Sequence, residues 1–157
     1  MTDAGNNTPP APIKVFTIGF AGHSAEEFFG KLQRAGVKMV FDVRLSNVSQ
    51  LAGFAKKRDI EYFLQTIAGI GYVHEKGLAP TKDILDDYKK KRIEWTDYEE
   101  RFNRLLLERQ PHKGLLRPDE LDGGCLLCSE HEPEHCHRRL VAEYLQREWK
   151  NVEIIHL

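Results

Sequence analysis

The sequence predicts an α/β fold, a three-layer sandwich around a mostly parallel sheet of about five strands. Two observations lead there. Short runs rich in β-branched and aromatic residues alternate with longer stretches of helical period. Capping signals and glycines separate the two kinds of segment. Strands parted by helices run parallel, with helices covering both faces of the sheet. At 157 residues the chain has the length of one domain with a proper core. Residues 1–12, MTDAGNNTPPAP, carry neither a basic start nor an apolar run, so they are expected to form a disordered tail rather than a secretory signal.

The elements follow in order. Ile13–Gly19 is the first strand, and Phe20–His23 turns. Ser24 and Glu27 have the spacing of a capping box, with Phe28, Phe29, Leu32 and Ala35 on one helical face and Gly36 as the stop. Lys38–Val43 is the second strand. Leu45–Ala55 has no period and reads as loop. Asp59 is placed to cap a helix carrying Ile60, Phe63, Leu64 and Ile67, which Gly69 ends. Ile70–His74 is the third strand and Lys76–Pro80 a loop. Thr81 opens a helix with Ile84, Leu85 and Tyr88. Thr96 and Glu99 form a second capping-box pattern, leading into Tyr98, Phe102, Leu105 and Leu106. Pro111–Gly124 is a polar connection. Cys125–Cys128 is a fourth, buried strand, Ser129–His135 a loop, and Cys136 the start of a last helix that ends near Lys150. Val152–Leu157 closes as a short strand.

Ligands of open parallel sheets bind beyond the carboxyl ends of the strands. By that rule the first strand delivers Thr17, Gly19 and His23 to one rim, the second Asp42 and Arg44, the third His74, and the fourth Cys128 and Glu130. Cys136, His137 and Arg138 then start the last helix, where unpaired N–H groups and the helix dipole favour an anion.

Four blocks of this chain resemble the domain-of-unknown-function family 488. They are TIGFAGHSAEEF near the start, FDVR after the second strand, IGYVHEKGL in the middle, and LLCSEHEPEHCHRRLVAEYL near the end. The last is the most specific, a Cys-x-Glu followed by Cys-His-Arg. The chain departs from the family pattern at Gly77–Pro80, where relatives often carry Leu-Gly-Gly. The resemblance implies a small α/β domain of Rossmann-like kind over residues 13–157. It implies no reaction.

Three kinds of chemistry fit the rim residues. Thiol catalysis would use Cys128 or Cys136, with Glu130 and His137 handling protons. An anion pocket would use Arg44 and Arg138 as clamps, with Thr17, Gly19, His23, Asp42 and His74 around the ligand. A metal set would need Cys125, Cys128 and Cys136 with a histidine. Residues three apart on a strand point to opposite faces, so no metal or cofactor is assigned. The alternatives to catalysis are a nucleic-acid or protein binding module with structural cysteines, and a zinc module. Net charge is -1 and acidic residues surround the runs Lys56–Arg58 and Lys89–Arg92, so nucleic acid has the weaker support and the runs read as solvated faces. The expected partner is a small anionic or phosphorylated ligand, not a membrane; the oligomeric state is left open. Three cysteines, an odd number in a chain that needs no stapling, point to the reducing cytoplasm.

Overall fold

The computed structural model describes residues 11–48 and 53–157. The expected tail therefore lies almost wholly outside the described residues, as does part of the loop read at Leu45–Ala55. The strands are β1 (Ile13–Gly19), β2 (Met39–Asp42), β3 (Gly71–His74), β4 (Gly124–Cys128) and β5 (Val152–His156). They form one sheet in the order β3-β2-β4-β1-β5, and every pair is parallel. The helices are α1 (Ala25–Ala35), α2 (Lys57–Phe63), α3 (Lys82–Lys89), α4 (Trp95–Arg109), α5 (Pro118–Leu121) and α6 (His137–Trp149).

Strand alternation divides the core into two layers. Phe16, Ile18, Val40, Cys125 and Leu127 face α1 and α2, meeting Phe28, Phe29, Leu32, Ile60 and Leu64. Val15, Phe41, Leu126 and Cys128 face α4 and α6, meeting Phe102, Leu106, Leu140, Val141 and Tyr144. β4 is buried along its whole length, which explains its unbroken apolar run.

Capping shows where local reading was sound and where it slipped. The Ser24–Glu27 box closes reciprocally, with Glu27 N–H donating to Ser24 Oγ at 3.2 Å and Ser24 N–H to Glu27 Oε2 at 3.1 Å. Gly36 takes the left-handed conformation that ends α1. The second box sits two residues earlier than read. Glu94 is the N-cap and Asp97 returns the bond, so Thr96 and Glu99 lie inside α4. Lys56 rather than Asp59 precedes α2, and Asp59 falls in its first turn, where its charge suits the helix dipole. One π-helical turn, Leu64–Ala68, extends α2 to Gly69. The polar connection before β4 contains α5, opened by Pro118 at its first turn. Among the described residues no helix is long and apolar enough to cross a membrane.

Candidate functional site

A cavity of about 260 Å³ opens beyond the carboxyl ends of β2 and β4, on the α3, α4 and α6 side. Five residues expected on the rim line it: Arg44, Cys128, Glu130, Cys136 and His137. β4 carries Cys128 to the sheet edge, and the loop 129–136 then folds back so that Cys136 becomes the N-cap of α6. Cys128, Cys136 and His137 are buried, at 3%, 2% and 6% exposure. Their ligand atoms, two sulfurs and an imidazole nitrogen, all lie within 4.8 Å of one another. This Cys/His cluster can hold a metal ion. Cys125 is not part of it, because it faces the α1 and α2 core. The four-ligand set built on Cys125 and Cys128 is therefore excluded by the strand's pleat.

The three thiols differ sharply in environment. The Cys136 thiol beside it, working against burial, holds Cys128 below an ordinary thiol's value, helped by the Ser129 N–H and the Arg138 charge. Burial, and then the neighbouring Cys128, push Cys136 well up. Burial alone pushes Cys125 up. His137 is fixed by Nε2, which donates to the Val43 carbonyl at 2.6 Å. Its Nδ1 then carries the lone pair of the neutral ring. Cys128 Sγ stands 3.6 Å from Nδ1 and 3.8 Å from Nε2. Nearly equal distances put the sulfur over the ring, not along a nitrogen lone pair, so the contact is polarising packing and not a proton-transfer hydrogen bond.

The remaining rim residues do not line the cavity; they hold it in shape. Arg138 is fully buried, and all three of its nitrogens are engaged. Nη1 donates to the Glu130 carbonyl at 2.6 Å, Nη2 to the His131 carbonyl at 3.1 Å and Nε to Thr17 Oγ1 at 3.3 Å. The clamp expected from Arg44 with Arg138 does not form, because Arg138 is spent on the loop's backbone. Thr17 sits under it, 2.6 Å from His156 Nδ1. Gly19 packs against the Glu130 backbone, where a Cβ would fall inside the carbonyl oxygen's radius. Asp42 lies behind Arg44. It accepts from Arg44 Nε at 2.8 Å, Arg44 Nη2 at 2.7 Å and the Tyr72 hydroxyl at 2.6 Å. His74 Nε2 donates to the Arg44 carbonyl at 2.6 Å.

His23 Nδ1 donates to the Gly19 carbonyl at 2.8 Å, and its ring lies 4.9 Å from that of His131. His23 Nε2 is buried with no partner among the described residues. Burial, with Lys31 and His131 nearby, holds His23 below its ordinary value; burial and then Arg138 do the same to His156. In the window from the folded values up to about 6.5 the unfolded chain binds more protons, so stability rises with pH across it. Urea midpoints should therefore be flat above about pH 7 and fall as the pH drops through about 6.5. His23→Asn, which keeps a donor for Gly19 and removes the titration, should reduce that fall.

Sequence reasoning missed the wall opposite the thiols. Tyr88, Trp95, Tyr98 and His135 line the cavity, and Lys89 adds a cation at its edge. Trp95 stacks on Tyr98 with ring centroids 4.8 Å apart and on His135 at 5.1 Å. Tyr98 had the helical spacing of a core residue, and it is also that. The available signal was the clustering of Tyr88, Trp95 and Tyr98 on the two helices that leave β3 at the rim.

A family model matches residues 24–145, the Domain of unknown function DUF488. No curated protein and no solved structure matches the chain.

Proposed function

The chain belongs to the DUF488 family, which supplies a fold and a residue pattern but no reaction, and from the pocket itself we propose that it binds a small molecule joining an anionic group to a flat ring, a nucleotide-like chemistry. One observation carries this reading: a single cavity has stacked aromatic rings on one wall and the Arg44 guanidinium and Lys89 on the others, over a floor of Cys128, Cys136 and His137. Base-like rings stack on Trp and Tyr with about 1–3 kcal/mol each. Arg44 spends Nε and Nη2 on Asp42 and the Ala55 carbonyl. Nη1 takes no part in those bonds, and Arg44 lines the cavity. Glu130 at the mouth is the group for proton transfer. Free buried thiols suit a reducing cytoplasm.

The test is binding of adenosine monophosphate followed by Trp95 fluorescence, with Trp95→Phe as the control for Trp149. Lys89 is exposed, so Lys89→Ala should leave stability unchanged and weaken binding about tenfold, the effect of one charge-assisted contact of about 1.4 kcal/mol. Saturation by oligonucleotides but not mononucleotides would turn the reading toward the nucleic-acid module. No quench by either would reject the pocket as a ligand site.

A further inference from the structure

We propose that Cys128 Sγ, Cys136 Sγ and His137 Nδ1 form a three-ligand site for a soft divalent cation, zinc by donor preference, with its fourth position open to the cavity. The donors come from three positions that backbone structure fixes: the last residue of β4, the N-cap of α6 and the first residue of that helix. Two thiolates and one imidazole are a set that zinc accepts, and three protein ligands with one open position is the arrangement of catalytic rather than structural zinc. The two sulfurs and a ring nitrogen of His137 all lie within 4.8 Å of one another.

The histidine carries the second argument. Metal-bound imidazoles donate their other N–H to a carboxylate or a backbone carbonyl, which fixes the tautomer and aims the lone pair. His137 does this: Nε2 donates to the Val43 carbonyl at 2.6 Å, and the only partner of Nδ1 among the described residues is the Cys128 sulfur. As a base for Cys128 the ring is badly aimed, since the sulfur lies over its face. As a ligand it is already oriented, because the Val43 carbonyl holds Nε2 and leaves Nδ1 for a cation.

Charge is the third argument. Ionising two buried cysteines side by side without a counter-charge is costly, and a divalent cation cancels both. The inference deepens the pocket reading at one point only. The open fourth position faces the space where the ligand is proposed to sit, with Glu130 and Ser129 beside it, so a metal-bound water or a ligand oxygen would occupy it.

The experiment uses the full chain, stripped of metal and titrated with cobalt(II). One cobalt per chain should bind, with a thiolate-to-metal charge-transfer band in the near ultraviolet and the intense ligand-field bands of four-coordinate geometry. Equimolar zinc should abolish both. Cys128→Ser, Cys136→Ser and His137→Asn should each weaken binding by more than about 100-fold, beyond the loss seen for outer-shell partners. Cys125→Ser should leave the spectrum unchanged. Where a cluster variant does not fold by circular dichroism, the native chain answers instead: equimolar zinc should protect two of its three thiols from a thiol reagent. Absence of the charge-transfer band, or loss of it in Cys125→Ser as severe as in the cluster variants, overturns the site. Nucleotide binding that survives while cobalt fails to bind sinks this inference alone. Cobalt binding with no nucleotide binding sinks the pocket reading alone.

Discussion

Gly19→Ala is expected to cost about 3 kcal/mol or more of folding stability, the upper range for overpacking. A methyl group at this position would occupy the space of the Glu130 carbonyl group, and beyond that group it meets Nη1 of Arg138. Neither can step aside. The carbonyl accepts from Arg138 at 2.6 Å, and Arg138 is held by Thr17 and the His131 carbonyl. Relief requires β1 to part from the loop after β4, although Phe20 N–H bonds the Cys128 carbonyl at 3.2 Å and Ala21 N–H the Ser129 carbonyl at 2.9 Å. The effect should therefore reach the site: the loop carrying Glu130 and Cys136 shifts, and amide exchange rises at residues 129–136 well before the sheet opens. Hydrogen exchange with a urea titration checks both. A variant as stable as the parent, with unchanged exchange in that loop, would refute the account.

Asp42→Ala should be at least as damaging, at about 3–5 kcal/mol, because it strands a buried cation. Asp42 is fully buried and Arg44 almost so. The carboxylate also accepts the Tyr72 hydroxyl, which in turn receives Asn47 Nδ2 at 2.9 Å. Removing it leaves the guanidinium unpaired and the tyrosine without an acceptor. The pair is not expected to be a net source of stability. Asp42→Leu combined with Arg44→Met should recover most of the loss, since apolar replacements of buried ion pairs are often neutral or better. That double variant should still lose nucleotide binding. Equilibrium unfolding separates the two contributions, and equal instability of the single and double variants would refute the argument.

Much of the fold was legible because its signals are local. The Ser24–Glu27 box, Gly36 and Gly69 as stops, and the unbroken apolar run of β4 each follow from one short stretch of chain. The second box misled for the same reason. Thr96-x-x-Glu99 and Glu94-x-x-Asp97 both have the spacing, and only packing of Trp95 against Tyr88 and Tyr98 favours the earlier start. The candidate site was legible as a rim and not as a cavity. Arg44, Cys128, Glu130, Cys136 and His137 converge as strand order and helix start demand. Arg138 has the same sequence credentials as Arg44, but whether an arginine points at a ligand or at its own loop depends on where two carbonyls end up. The aromatic wall comes from α3 and α4, whose approach to the rim is a tertiary fact.

The strand order has a bearing on biosynthesis. β1 is the first strand to leave the ribosome, yet Val15 pairs with Gly124 and Ile13 with Val152. β2 and β3 can zip together early, whereas β1 finds no neighbour until β4 has been translated, and that pairing must close a very long loop. The nascent polypeptide thus carries a bare apolar ribbon, IKVFTIG, for most of its elongation. The thiols and the histidine of the last block meet only when that ribbon is finally enclosed, so this cluster is assembled last.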